Sequence, residues 1–362
     1  MFLKKLALFN FKSYSEQNFD FCNGINFIVG KNGSGKTNIL EAIYFSCITK
    51  SFSGLKDHQL IKHNQLFFAV NCQIDGIELI ASIKENSKKQ FLVNKKNYEK
   101  LSEHIGKFPV VFVSPNDHDY IRDTSDRRRS LFDELFCQIN ADYLKHLMEY
   151  NRLLKQRNQL LKQFKERNYF DFDLLTTYNE SLCPHHVFIV NFRKQKLELL
   201  SALCQKNYFF ISNDAEKVSL DYEFEDNLTA LSYLNIQEQN LEKDRASQRT
   251  TSGCHKDDYT FLVNGLALKK FGSQGQQKSF MLSLQLARYA LLRTETGKKP
   301  FLLLDDVFDK LDEDRIKKLL EIVSKDDFGQ VFISDASEKR TKNFSLIITN
   351  EIKIISIEKE VN

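Results

Sequence analysis

Short apolar runs separated by turns dominate the chain up to roughly residue 120. The stretch Met1 to Phe9 reads as a first strand, Ile25-Asn26-Phe27-Ile28-Val29 as a buried one, and residues 65–70 and 110–113 as two more. After the buried run, Ile39, Leu40, Ile43, Tyr44 and Cys47 recur at helical spacing. From about residue 125 to 206 the pattern turns helical and charged. There Leu147, Leu154, Leu161 and Phe164 share one face, and Pro184 is read as starting or kinking a helix. Strand-like character returns at Tyr208-Phe209-Phe210-Ile211 and at Ser219-Leu220-Asp221-Tyr222-Glu223-Phe224. Pro300-Phe301-Leu302-Leu303-Leu304 reads as a buried parallel strand, and Leu346-Ile347-Ile348 with residues 352–357 as a closing hairpin.

This succession predicts an α/β protein. At 362 residues the chain exceeds the usual size of one hydrophobic core, so two lobes are expected. Residues 1–122 and 208–362 are assigned to one lobe built from both ends of the chain, and residues 123–207 to an inserted helical lobe. No internal repeat or low-complexity tract interrupts the pattern. Seven cysteines are scattered without a C-x-x-C pair, which argues for reduced thiols and against a zinc ribbon or disulfide framework. The apolar start is cut short by Asn10 and Lys12 and is followed by no small-residue cleavage site. No stretch approaches the roughly 20 apolar residues of a membrane span, so a cytoplasmic protein without a membrane partner is expected.

Two segments carry chemistry. Gly30-Lys31-Asn32-Gly33-Ser34-Gly35-Lys36-Thr37 fits the pattern G-x-x-x-x-G-K-[ST], with a strand before it and a helix after it. Its glycines let consecutive backbone N–H groups converge on phosphate oxygens at a helix N-terminus. Lys36 would reach the β- and γ-phosphates of ATP, and the Thr37 hydroxyl would ligate Mg²⁺. Downstream, Asp305 and Asp306 follow the apolar run 301–304, at the end of a strand where ligands bind in open sheets. Asp305 would hold Mg²⁺ through its water shell, and Asp306 would polarise the attacking water. The alternative is that both acids cap a following helix.

Net charge is only +4, so its distribution says more than its sum. Between Arg152 and Arg167 lie Lys155, Arg157, Lys162 and Lys165 against the single acid Glu166, which makes a basic amphipathic helix. Arg152, Lys155, Arg157 and Lys162 are candidate contacts to a DNA backbone, where cations displace counterions. A solvated face is the plainer alternative. Arg127-Arg128-Arg129, preceded by Asp123 and Asp126, could meet nucleotide, DNA or those acids.

The chain resembles the RecF family of bacterial DNA replication and repair ATPases, relatives of the SMC proteins, over essentially its whole length. The resemblance rests on Phe11-Lys12-Ser13-Tyr14, on Gly30 to Thr37 continued by Asn38-Ile39-Leu40-Glu41-Ala42-Ile43, and on Lys50-Ser51-Phe52. Further carriers are Ser114-Pro115-Asn116-Asp117, Asp126-Arg127-Arg128-Arg129, His255-Lys256-Asp257-Asp258 and Phe271-Gly272-Ser273-Gln274-Gly275-Gln276-Gln277-Lys278-Ser279. It implies an ABC-type P-loop ATPase head whose signature turn, Ser273, Gln274, Gly275 and Gln276, meets the γ-phosphate held by a second copy. It implies ATP and Mg²⁺ as cofactors and an ATP-dependent homodimer on double-stranded DNA near single-strand gaps, bound without sequence preference. RecR and RecO are its implied partners in loading recombinase. Departures are Cys254 in place of proline, Asp306 in place of the glutamate of many ABC ATPases, Asp309 at a small-residue position, and Asp335 where transporter ATPases have histidine. The shorter carboxylate of Asp306 fits weak, DNA-dependent hydrolysis.

Two other classes fit parts of the pattern. An SMC-like mechanical or nuclease-associated ATPase needs long heptad arms, for which an insertion of about 80 residues has room only as short helices. A non-hydrolysing, ATP-gated DNA clamp would keep Lys36 without depending on Asp306.

Overall fold

The computed structural model describes residues 1–212, 216–225, 228–345 and 350–358. Strands β1 (Leu3–Phe11) and β2 (Tyr14–Asp20) form a hairpin whose two-residue turn puts Lys12 at φ 48°, the positive region that tight hairpins demand. With β4 (Phe67–Ile74), β5 (Ile77–Lys84), β6 (Gln90–Val93) and β7 (Lys96–Asn97) they make a six-stranded antiparallel sheet in the order β2-β1-β4-β5-β6-β7. β3 (Ile25–Val29), buried at all five positions, leads into α1 (Lys36–Ile48), and β8 (Val110–Val113) is likewise buried throughout.

The next elements are α2 (Asp119–Arg122), α3 (Ser125–Ile139), α4 (Ala141–Glu166) and α5 (Phe172–Ser212), then β9 (Val218–Glu223), α6 (Ala230–Gln239) and α7 (Leu241–Ser247). β10 (Asp258–Val263), β11 (Leu266–Ala267), α8 (Leu268–Phe271) and α9 (Gln274–Thr296) follow. The chain closes with β12 (Phe301–Leu304), α10 (Glu313–Val323), β13 (Val331–Asp335), α11 (Glu338–Ser345) and β14 (Ile352–Ser356). β14, β3, β13, β12 and β8 lie side by side in that order as a wholly parallel sheet, which explains their unbroken apolar sequences. One core joins α1 to both sheets of this part of the chain through Phe45, Phe68, Phe91, Ile28 and Leu303.

The chain divides into two compact units, residues 1–118, 207–214 and 278–362 in the first and 119–206 with 215–277 in the second. Residues 215–277, which sequence reading gave to the lobe 208–362, cluster instead with the helical segment. The cause is packing: β9, β10 and β11 form a small antiparallel sheet, and Tyr259 of β10 lies on Phe132 of α3 with ring centroids 4.0 Å apart. Tyr208-Phe209-Phe210-Ile211 is helical rather than a strand. Leu197, Leu200, Cys204, Tyr208 and Ile211 are buried at i+3 and i+4 steps, so the run continues the seam of α5.

Pro184 does not start a helix but lies inside α5, which runs for 41 residues, about 60 Å of helix. Buried Leu182, His186, Ile189 and Val190 on either side outweigh the one backbone hydrogen bond that proline forfeits. The insertion therefore holds far longer helices than its size suggested. Leu346, Ile347 and Ile348 lie outside the described residues, and β14 pairs in parallel with β3.

Candidate nucleotide site

β3 delivers the chain into the glycine-rich loop at the C-terminal edge of the parallel sheet. Gly35 caps α1 at φ 103°, a conformation closed to L side chains at little cost only for glycine, and a Cβ there would meet Tyr14 Oη at 2.8 Å. A Cβ on Gly30 would lie 2.5 Å from the Ile357 carbonyl oxygen. No side chain caps the helix, so its first N–H groups keep their capacity for an anion, reinforced by the helix dipole. Ser34 Oγ is buried and lacks a hydrogen-bond partner, a second donor kept in reserve inside the loop. Lys36 is 4% exposed, and its ammonium donates to the carbonyls of Gly30 at 2.9 Å and Lys31 at 3.4 Å.

The two aspartates enter from β12. Asp305 receives the Thr37 hydroxyl, which lies 3.0 Å from both carboxylate oxygens, and the Ser334 hydroxyl at 2.7 Å. Burial pushes the Asp305 carboxyl above its ordinary range, and the hydroxyls of Ser334 and Thr37 pull the other way. Asp306 takes a left-handed conformation with φ 41°, its N–H donated to Ser334 Oγ at 2.8 Å and its carboxylate 4.0 Å from Lys36 Nζ. Sequence reasoning missed Ser334, which stands on β13 between the two motif strands and holds both aspartates. Its signal was one polar residue near the end of the apolar run 331–333.

These residues fit Mg²⁺. Thr37 Oγ1 and the Asp305 oxygens are hard donors about as far apart as adjacent ligands in an octahedron with bonds of roughly 2.1 Å, and equally suited to share one of its waters. Among the described residues no cluster of three or more histidine, cysteine or acidic side chains could hold a metal alone. A Mg²⁺ ion held by Thr37 and Asp305 would complete its shell with phosphate and water, as it prefers.

The signature segment lies in the second unit at the start of α9. Ser273 and Gln276 form reciprocal bonds there: the Gln276 N–H donates to Ser273 Oγ at 3.1 Å and the Ser273 N–H to Gln276 Oε1 at 2.7 Å. Ser273 and Gln274 are exposed, Gly275 is half-buried, and Gln277 anchors the turn through the Gly272 carbonyl at 2.9 Å.

The basic helix is α4, and its buried seam is Tyr143, Tyr150, Leu153, Arg157, Leu161 and Phe164. Arg152, Lys155 and Lys162 are exposed, Arg152 being paired with Glu149 at 2.8 Å. Arg157 is not on that face. It is wholly buried, donating through Nε to Asn179 at 2.8 Å and through Nη1 to Asp244 at 2.7 Å and Thr250 at 2.8 Å, so its charge is paired with an acid inside the unit, while Nη2 is buried without a hydrogen-bond partner. Two of the three consecutive arginines are turned inward as well: Arg128 forks onto Asp258 at 2.7 Å, and Arg129 bonds Asp126 and the Asp257 carbonyl. Only Arg127 is exposed, paired with Asp123 at 3.3 Å.

His255 is structural: its Nδ1 meets Tyr150 Oη at 2.8 Å and its Nε2 the Thr250 carbonyl at 3.1 Å, and burial lowers its pKa to about 4. Asp335 is buried and held by Arg340, Thr341 and the Ser337 N–H. In the loop 114–117, Asp117 accepts from the Gln285 side chain. The Asp309 side chain lies outside the described residues.

A glycine-rich loop between a parallel strand and a helix, facing paired acids from another strand of the same sheet, defines an α/β ABC-type P-loop ATPase head of the SMC kind. The model of the RecF/RecN/SMC N terminal domain matches residues 2–354. The chain is 42% identical to the DNA replication and repair protein RecF of Flavobacterium johnsoniae over 94% of its length and 96% of that protein's. It is 41% identical to the RecF of Cytophaga hutchinsonii, over 99% of this chain and 96% of that protein. Among solved structures, the recombination mediator protein RecF-ATPrS in the RecFOR pathway superposes with a TM-score of 0.88 at 32% identity, covering 99% of this chain and 98% of that one. An Smc head domain derived from Pyrococcus furiosus shares the fold at a TM-score of 0.56 and 17% identity. This chain belongs to the RecF family of DNA replication and repair proteins.

Proposed function

We propose that the chain is a cytoplasmic, ATP-dependent DNA-binding protein of recombinational gap repair, dimerising on ATP around duplex DNA and releasing it on slow hydrolysis. The observation that carries this reading is the meeting of Thr37, Asp305, Ser334, Lys36 and Asp306 at one edge of the sheet. It is supported by relatives of the same length whose solved forms are RecF-ATP and RecF-ATPrS in the RecFOR pathway.

In this reading the loop from Gly30 to Gly35 surrounds the phosphates, with Lys31, Asn32 and Ser34 contributing N–H or hydroxyl donors. Lys36 neutralises the β- and γ-phosphates as it swings from the two loop carbonyls. Thr37 and Asp305 hold Mg²⁺, which when bound supplies charge neutralisation of the triphosphate. Asp306 orients the attacking water, its short side chain limiting the rate and DNA raising it. Ser273, Gln274, Gly275 and Gln276 meet the nucleotide of a second copy, so ATP and partner stabilise each other. DNA runs along Arg152, Lys155 and Lys162 through phosphates alone, with no part for buried Arg157. RecR and RecO are the partners this reading assigns.

Sedimentation with ATP and Mg²⁺, with and without gapped DNA, tests it. Wild type is expected to dimerise and Ser273→Arg to remain monomeric with nucleotide bound; a monomeric wild type sinks the mechanism.

A further inference from the structure

Three segments that carry the family resemblance take no part in the chemistry above: Phe11-Lys12-Ser13-Tyr14, Asn38 to Ile43, and Lys50-Ser51-Phe52. They converge on one side chain. Glu41, in the second turn of α1, is 0% exposed. Its carboxylate takes the Lys12 ammonium from the β1–β2 turn, the Ser51 hydroxyl, and the Ser53 hydroxyl at 3.0 Å.

A buried carboxylate among Ile39, Leu40, Ala42 and Ile43 is costly, and well-packed apolar residues commonly serve stability as well or better. What the charge adds is a fixed relation between the helix and two loops. The β1–β2 turn in turn braces the phosphate loop: Tyr14 Oη donates to the Gly35 carbonyl at 3.2 Å, and Ser13 Oγ accepts from Asn38 Nδ2 at 2.8 Å. On the other side Phe52 stacks on Phe112 of β8 with ring centroids 3.8 Å apart.

We propose that Glu41 is a positioning residue for nucleotide binding, drawing Lys12 inward so that Tyr14 and Ser13 hold Gly35 and the first turn of α1 in their anion-binding conformation. This rests on the reading of the loop as an ATP site. Glu41 touches no nucleotide; it acts through the turn.

A double-mutant cycle of Glu41→Gln and Tyr14→Phe tests it, with the Kd for a fluorescent ATP analogue in Mg²⁺ and the melting midpoint measured for each protein. Glu41→Gln is expected to weaken binding about tenfold, Tyr14→Phe about threefold, and the pair together about tenfold, because both break one brace. A product near thirtyfold overturns the proposal, as does a lower melting midpoint with unchanged Kd, the mark of a merely structural carboxylate. If Glu41→Gln does not fold, Lys12→Gln takes its place in the cycle with the same two outcomes. A wild type that binds no ATP overturns the ATP reading itself, whereas a binding wild type beside an equally tight Glu41→Gln overturns only this proposal.

Discussion

Both compact units bury cations beside acids, and Lys36 of the first differs from Arg157 and Arg193 of the second in how firmly its charge is held. In the first unit Lys36 is nearly enclosed, yet it donates only to two loop carbonyls, and its nearest acid, Asp306, stays 4.0 Å away, outside hydrogen-bond range. In the second, Arg157 has closed on Asp244, and Arg193 on Asp133 at 2.9 Å and Asp257 at 3.1 Å, with further bonds to the Cys254 carbonyl at 2.7 Å and Tyr143 at 3.0 Å. Lysine's point charge on a flexible stem can leave weak partners for a phosphate; a guanidinium forked onto a buried carboxylate cannot leave without stranding both. Burial alone therefore does not mark a functional cation. Weak partners, which a charge can leave without stranding a buried acid, are what set Lys36 apart.

That contrast can be broken in three places. The largest effect belongs to Asp244→Ala, which leaves Arg157 charged and unpaired in the second unit and should cost about 3–5 kcal/mol in a denaturant titration. A cost under about 1 kcal/mol would mean that the arginine had another outlet. Next, Lys36→Ala should lower ATP hydrolysis roughly 10²–10³-fold while changing unfolding free energy by less than about 1 kcal/mol. Equal losses of stability and rate would place Lys36 with the closed arginines. Smallest is Lys155→Gln with Lys162→Gln, where DNA affinity measured against salt should lose about two units of slope if each lysine meets one phosphate. An unchanged slope removes this face of α4 from the DNA path.

How far the sequence could be read follows from how local each feature is. The phosphate loop is eight consecutive residues between a buried strand and a helix, so strand, turn chemistry and cap were all visible in one stretch. The Asp305 and Asp306 pair was legible for the same reason, because an apolar strand ending in two acids is a local pattern. Arg157 shows the opposite. It sits two residues from exposed Lys155 on the same helix, and its partners Asp244 and Thr250 lie 87 and 93 residues further along. Nothing near Arg157 distinguishes it except its place in the seam with Tyr150, Leu153 and Leu161. Tyr208 to Ile211 failed as a strand because four apolar residues have no period of their own, and only the preceding turns of α5 set it.

By itself, then, the sequence determined the local make-up of the candidate site: which glycines bend, which lysine and threonine follow, which acids end the apolar run, and the resemblance of the whole chain to the RecF family. Those depend on covalent neighbours and backbone sterics. Tertiary structure alone decided which basic residues stay exposed, that Ser334 holds the two aspartates, that Glu41 ties its helix to two loops, and that residues 215–277 belong with the helices. The first three are pairings of charges or hydrogen-bonding groups that the fold brings together, where the cost of burying either partner alone selects the arrangement, and the last is the packing of β10 on α3.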